Sequence, residues 1–439
     1  MFRNKPVIYG GMDLPLIDFF APSREDYIRG IADVAGDVEA TGKIELALSE
    51  LDFLQDYTKN FPSGAKVKIK DEDLQRIEDC FYNLRLAARG INNARVALKA
   101  RGVATLPEVH IRRAGGTIAN KLHTLKLGLG DKIEARLFGP IGGNDEFGNK
   151  TFQLKHLKDS HIKLYPGDLF LPEAGHSFII IENGDRKILK TPAPKLKKLL
   201  QGREAEITGF IKGCGVVLIE ASSISEVKFG FDIFEQMART AMQNSKKIFF
   251  SPPTDADQLY PKPKKDINEE RARITRNRSI FNEIINYEHT AIMTMNETEL
   301  VMMFGEYDEA RGNLSVSSRD DANFTTAIKN LQDRLRKKLT SVNSKDIEPL
   351  AFVSFGKLGA YAITASHIIF EPAQKIKAII DTTGAGDAFA SGCIIKRNEI
   401  IERTKPHNFS EPELREMLTH GETLANRVIA QYGAQIVYR

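Results

Sequence analysis

Near its C-terminus the chain reads Asp381-Thr382-Thr383-Gly384-Ala385-Gly386-Asp387-Ala388-Phe389. A strand-like run, Lys377-Ala378-Ile379-Ile380, comes before it, and a helix-like run of small and apolar residues, 388–395, comes after it. The pattern predicts a strand, a glycine-rich turn and a helix in immediate succession. Such a turn presents several backbone N–H groups at the positive end of the helix dipole. Gly384 and Gly386 lack the Cβ atoms that would hold a phosphate away. Asp387 falls in the first helical turn, beside that anion site. A phosphate cradle alone has no use for a carboxylate, because like charges repel. A site that takes a proton from a hydroxyl attacking a phosphate does need one. A lone aspartate at this position also serves as a helix cap, so the remainder of the chain has to decide between the two roles.

Strands and helices alternate through that remainder. Strands are expected at 7–11, 109–113, 133–139, 215–220, 247–251, 290–295 and 350–355, with 361–363 as a partner to the last. Helices are expected at 117–127, 147–157, 231–244 and 297–304. Residues 176–189 alternate like a hairpin around Asn183-Gly184. The alternation predicts an α/β fold with a mostly parallel sheet covered on both faces. Residues 27–106 form a polar, helical insertion, within which 66–70 read as an exposed ribbon or loop. Two charged stretches, 261–279 and 330–345, read as linkers or surface excursions.

Composition narrows the function classes. The chain has 439 residues, 42% hydrophobic and 27% charged, in the range of an ordinary globular protein. Lys and Arg total 62 against 58 Asp and Glu, a net charge of +4, and nucleic-acid binders show a clearer basic excess. Cys80, Cys214 and Cys393 are too few and too scattered for a disulfide framework or a zinc site, and are expected to be buried. A reducing, cytoplasmic location follows as the default. No stretch approaches the roughly 20 apolar residues of a membrane span, and the N-terminus lacks the apolar core of a signal peptide.

The string 381–389 resembles the C-terminal signature of the ribokinase-like (PfkB-type) sugar and nucleoside kinases, and other segments extend the resemblance in the same order. Ala114-Gly115-Gly116-Thr117-Ile118-Ala119-Asn120 is similar to the family's N-terminal Gly-Gly motif. A glycine pair at a strand-to-helix turn permits close approach of a sugar, and Asn120 offers both a donor and an acceptor. Phe138-Gly139-Pro140-Ile141-Gly142-Gly143-Asn144-Asp145 resembles a structural turn of the family, with Asp145 as a helix cap. Asn296-Glu297-Thr298-Glu299 resembles the segment that orders waters around Mg²⁺, and the same spacing makes a capping box. Gly356-Lys357-Leu358-Gly359-Ala360 resembles the hairpin flanking the nucleotide, with Lys357 read as a surface charge. Leu424-Ala425-Asn426-Arg427-Val428 resembles the helix beside the adenine, and Asp18 matches the substrate-binding aspartate of the family's first strand pair.

The resemblance implies a single ribokinase-like domain, 1–439, with a three-layer α/β/α architecture and a small β lid. The lid would come from about 12–26, 107–114 and 162–190, with the insertion at about 27–106. The implied catalytic group is Asp387 with Gly384, Ala385 and Gly386. Asp18, Gly115, Gly116 and Asn120 would bind the acceptor, and Asn296, Gly356, Gly359 and Asn426 the nucleotide. Glu299 would hold Mg²⁺ through water, and Asp381 a monovalent cation such as K⁺. Phe19, Phe20 and Phe178 would line the acceptor site or form lid core. ATP would be the co-substrate and a nucleoside or sugar the acceptor, with no nucleic acid or membrane partner, in a monomer or homodimer. Within the family, 115–123 and the Asn426 helix are similar to bacterial guanosine–inosine kinases, whereas Asp381 departs from the asparagine found there. Three functions follow: a nucleoside kinase, a sugar kinase, and an inactive relative that binds a partner through its insertion.

Overall fold

The structure, a computed structural model, describes residues 6–12, 17–21, 38–61, 66–100, 112–114, 116–142, 149–167, 176–182, 185–190, 200–221, 230–253, 267–305, 318–341, 347–376, 379–404 and 408–431. Strands β1 (Val7–Met12) and β2 (Ile17–Ala21) lead into α1 (Val38–Thr58), β3 (Lys66–Lys68) and α2 (Asp71–Ala100). Next come β4 (Arg112–Ala114), α3 (Thr117–Leu129), β5 (Ile133–Phe138), α4 (Asn149–Asp159) and β6 (Ile162–Tyr165). The hairpin β7 (His176–Glu182) and β8 (Asp185–Lys190) follows. Then α5 (Glu204–Gly213), β9 (Val216–Glu220), α6 (Gly230–Gln243), β10 (Lys247–Ser251), α7 (Ile267–Asn286) and β11 (Thr290–Asn296) alternate strictly. After α8 (Glu297–Phe304) and α9 (Ala322–Ser341) come β12 (Leu350–Ser354), β13 (Gly359–Ile363) and β14 (Ile368–Pro372). Helices α10 (Ala385–Thr404) and α11 (Glu411–Ile429) complete the described chain.

Nine strands form the large sheet, in the order β14-β13-β12-β11-β10-β9-β1-β5-β6. From β12 to β6 every neighbouring pair is parallel, and β13 and β14 add an antiparallel edge. A parallel sheet needs both faces covered, and β9 accordingly is buried along its whole length. On one face pack Phe210 of α5, Phe234 of α6, Phe281 of α7 and Phe324 of α9. On the other pack Leu122 and Leu125 of α3, Cys393 and Ile394 of α10, and Leu414 and Leu418 of α11. This is the expected three-layer α/β/α arrangement.

The second sheet has five strands in the order β3-β8-β7-β2-β4. Its pairing is mixed: β2 with β4 and β7 with β8 run antiparallel, β2 with β7 and β3 with β8 parallel. Helices α1 and α2 pack on it through Leu51, Leu54, Phe81 and Leu84, against Phe178, Ile180 and Leu189. The rings of Phe81 and Phe178 lie 4.5 Å apart, so Phe178 is lid core. The side chains of Phe19 and Phe20, like Asp145 and the Asn183-Gly184 turn, lie outside the described residues. Of the stretches expected to make the lid, 162–165 is instead the edge strand β6 of the large sheet.

Three local expectations need correction. Ile379 and Ile380 are not strand; the N–H groups of Ile380 and Asp381 both bond to the Ile429 carbonyl, at 2.8 and 3.2 Å, which ties this loop to the end of α11. The charged stretches at 261–279 and 330–345 largely fall within α7 and α9. Most of their charge lies on solvated faces, while Ile274, Ile280, Phe281, Leu331 and Leu335 face the core; Lys338 is the exception, buried with its ammonium on the Ile285 and Thr290 carbonyls. Residues 66–68 pair with β8 as an edge strand.

Helices α10 and α11 meet backbone to backbone. A Cβ built on Gly392 would lie 2.8 Å from the Cα of Gly421 and 3.0 Å from the His420 carbonyl, neither of which can swing aside. Gly392→Ala should therefore cost about 1–3 kcal/mol of stability through overpacking, read as a lower urea midpoint.

On α11, Glu422 is 7% exposed. Its Oε2 accepts the Gln374 N–H at 3.3 Å, and its Oε1 has no hydrogen-bond partner among the described residues. Burial pushes this carboxyl up to about 7, with a smaller push from Glu371 and against the bond from the Gln374 backbone. The unfolded group titrates near 4.5. The native state therefore holds the extra proton between those values, and the contribution of Glu422 to stability is lost as pH rises through about 7. Glu422→Gln should unfold like the parent at about pH 5. At about pH 8 it should be more stable by about 1–3 kcal/mol, as measured by urea unfolding at the two pH values.

Candidate active site

Parallel strands of an open α/β sheet end together, and the crevice outside their carboxyl ends is where such folds bind ligands. Here Glu220, Ser251, Asn296 and Ser354 are the last residues of β9, β10, β11 and β12. All four line one cavity of about 220 Å³. Thr117 and Lys121 of α3 form another wall, and Thr382, Gly384, Gly386 and Asp387 close it from the start of α10.

The loop into α10 is shaped by Asp381. Its Oδ1 accepts the Thr383 N–H at 2.8 Å and the Thr383 hydroxyl at 2.6 Å, and the residue is fully buried. Asp381, expected to hold a monovalent cation, is not among the residues that line the cavity. Gly384 follows with φ 78°, a left-handed conformation that glycine adopts at no steric cost. Helix α10 starts at Ala385, so Asp387 stands in its first turn, as expected. The Ala385 N–H turns back on the Thr382 carbonyl at 3.3 Å. The N–H groups of Gly384 and Gly386 have no acceptor among the described residues, which is the ordinary state of a helix start. The N–H groups this loop leaves without an acceptor among the described residues are thus those of Gly384 and Gly386, not that of Ala385.

The Asp387 side chain is 16% exposed, open to the cavity. Its Oδ2 accepts the Asn120 Nδ2–H at 3.1 Å. Asn120 is buried on α3, behind Gly116, which caps that helix with φ 108°. Beside it, the Lys121 ammonium is 7% exposed and bonds to Glu220 Oε1, and to Ser251 Oγ at 2.9 Å. Ser251 Oγ in turn lies 2.7 Å from Thr294 Oγ1. The Lys121 nitrogen is 4.0 Å from Asp387 Oδ1. Burial by itself would push Lys121 down; Glu220, Asp387 and Glu299 together outweigh it and hold the ammonium above the ordinary lysine value.

Asn296 and Glu299 form a reciprocal capping box on α8: Glu299 N–H to Asn296 Oδ1 at 2.8 Å, and Asn296 N–H to Glu299 Oε2 at 2.9 Å. Both also line the cavity, so the cap fixes a carboxylate at its rim. Among the described residues no three His, Cys, Asp or Glu side chains cluster as a metal cage. A single rim carboxylate suits Mg²⁺, which keeps most of its waters and binds mainly through substrate phosphates.

Other expected residues stand apart from this cavity. Gly356 and Gly359 turn the β12–β13 hairpin, where a Cβ on Gly359 would overlap the Glu371 carbonyl. Asn426 is half-buried on α11, its Nδ2 3.5 Å from Gln374 Oε1. Asp18 sits in β2, in register with Arg113 and Ser177 in the lid sheet, and Gly115 lies outside the described residues. Lys121, Glu220, Ser251 and Thr294 were not expected. Their signal was present: a polar residue ending a wholly apolar strand, and a lysine inside an apolar helix.

The family described as pfkB family carbohydrate kinase matches residues 277–438. No curated protein matches the sequence. Among solved structures, adenosine kinase from Sinorhizobium meliloti superposes with a TM-score of 0.56 at 15% identity, covering 98% of this chain and 96% of that one. A probable sugar kinase protein from Rhizobium etli gives 0.56 at 14% identity, covering 99% and 96%. Adenosine kinase from Schistosoma mansoni, in complex with 2-fluoroadenosine, gives 0.55 at 15% identity, covering 98% and 97%. At such identities the superpositions show the fold, and the family match covers the segment that holds Asn296, Glu299 and the Asp381–Asp387 loop. The expected fold is thereby borne out: over its whole length the chain has the ribokinase-like fold these kinases share, and residues 277–438 resemble the pfkB family of carbohydrate kinases.

Proposed function

We propose that this protein transfers the terminal phosphoryl group of ATP to the primary hydroxyl of a nucleoside, giving the 5′-monophosphate and ADP. One observation carries the reading: the Asp387 carboxylate and the Gly384 and Gly386 N–H groups converge on one open cavity at the strand ends. The carboxylate accepts the proton of the attacking hydroxyl. The two amides hold the charge that spreads over the phosphoryl oxygens, and one preorganised donor of this kind contributes about 2.7–4 kcal/mol to transition-state stabilisation. Glu299 would hold Mg²⁺ through water, and the metal would supply charge neutralisation at the phosphates. In this reading Asp18 of β2 binds the acceptor and the lid sheet excludes water from the reaction.

Two of the structures that share the fold come from adenosine kinases, and 115–123 resembles the guanosine–inosine kinases; both favour a nucleoside. A sugar acceptor is the second reading, supported by the equally similar probable sugar kinase. Against the inactive reading stands the shared cavity of Asp387, Gly384 and Gly386, the residues read as base and anion cradle. Three buried free cysteines suit a reducing compartment, and we place the protein in the cytoplasm.

Inosine, guanosine, adenosine, ribose and fructose, each offered with ATP and Mg²⁺, should give turnover with one or more nucleosides and little with the sugars. The reverse ranking would support the sugar reading. Turnover with none of them, despite ATP binding, would remove both. Asp387→Asn should keep ATP binding, read by thermal shift, and lose roughly 10²–10⁴ in kcat. Near-normal turnover in that variant would refute the role of Asp387.

A further inference from the structure

Asn120 and Lys121 are consecutive on α3, and they address the two oxygens of the same carboxylate. The Asn120 amide donates to Asp387 Oδ2 at 3.1 Å, and the Lys121 nitrogen stands 4.0 Å from Oδ1. The ammonium has three hydrogens. Glu220 and Ser251 take two of them, and Asp387 is the remaining acidic group within reach. Glu299 faces the same cavity from α8, while Asp381 is turned inward on Thr383. From α10 itself the Ser391 hydroxyl donates to two backbone carbonyls, that of Asp387 at 2.8 Å and that of Lys121 at 3.4 Å.

We propose that Lys121 is a positioning residue of this site: shared between Glu220 and Asp387, its charge keeps the Asp387 carboxylate ionised and directed at the cavity. The inference rests on the reading of Asp387 as the base. Two or three carboxylates around one small cavity repel each other, and without a cation between them one takes up a proton. A protonated Asp387 is far too weak a base to take the hydroxyl proton. An ion pair serving packing alone would need only Glu220, and burying an ammonium for packing is a poor bargain when an apolar side chain fills the same volume. The position beside Asp387 gives the charge a task.

The test reads Asp387 directly, without turnover. In protein labelled with carbon-13 at the aspartate carboxyl, the Asp387 signal is the one missing from Asp387→Asn, and its titration midpoint is followed by NMR. Lys121→Met combined with Glu220→Gln removes both buried charges together, so that neither is left unpaired. The midpoint should rise by about one pH unit or more, and the acidic limb of kcat/KM should move up with it. Glu220→Gln alone leaves Lys121 to Asp387, and the midpoint should stay at or below the parent value; if the double variant does not fold, this single variant decides. A double-variant midpoint within a few tenths of a unit of the parent, or a rise in Glu220→Gln, would overturn the proposal. A shifted midpoint in a protein that phosphorylates none of the acceptors would keep Lys121 in its role and remove the kinase reading. An unchanged midpoint with intact turnover would do the opposite.

Discussion

A charge buried between a helix layer and a sheet has to be answered on the spot, and the Lys121–Glu220 pair is where that requirement organises this protein. Lys121 belongs to α3 on one face of the large sheet, and Glu220 ends β9 within it. Their contact sets how far α3 can slide along the strand ends. Removing one partner of such a pair costs about 3–5 kcal/mol, whereas the pair as a whole adds little net stability. What it supplies is register. With α3 fixed, Asn120 reaches Asp387, and with Asp387 fixed, the first turn of α10 faces the cavity. The second anchor of α10 is its glycine crossing with α11, where Gly392 and Gly421 bring the two backbones together. A bulkier crossing would lift α10 off the sheet and carry Gly384 and Gly386 away from the strand ends.

Those strand ends explain why one fold serves phosphate chemistry so readily. Parallel strands β9 to β12 deliver Glu220, Ser251, Asn296 and Ser354 to a common line. The opposite wall is a helix N-terminus, which brings unpaired N–H groups without any cationic side chain. One wall thus carries carboxylates and hydroxyls, and the other brings the Gly384 and Gly386 N–H groups beside the Asp387 carboxylate.

Much of this was legible in the sequence because it is local. The Asp381–Asp387 string specifies a turn and a helix start by backbone conformation alone, and Gly384 takes up the left-handed angle the turn requires. The capping box of Asn296 and Glu299 is likewise a three-residue device. Alternating apolar strands gave away the parallel sheet. The contacts that pair distant residues were not legible. Nothing in the spacing of Lys121 and Glu220, or of Asn120 and Asp387, announces that they meet. The strand expected at 377–380 failed for a related reason: its apolar residues imitate a strand, but the Ile380 and Asp381 N–H groups are taken by the Ile429 carbonyl at the end of α11. The helices α7 and α9 were hidden by their charge. Their solvated faces carry enough Lys and Arg to mask the isoleucines and leucines that recur at helical spacing beneath.

The insertion shows the same difference between a local pattern and a tertiary fact. As sequence, 27–106 looks like an appendage added to a complete kinase. In the fold it supplies the hydrophobic half of the lid: Leu51, Leu54, Phe81 and Leu84 cover Phe178, Ile180 and Leu189, and β3 extends the sheet beyond β8. Without α1 and α2 that sheet face would stand bare in water, and burying a large apolar side chain is worth about 1.5–3 kcal/mol each. A segment with that duty is part of the lid rather than a separate module. Through β7 it also supports β2, the strand that carries Asp18.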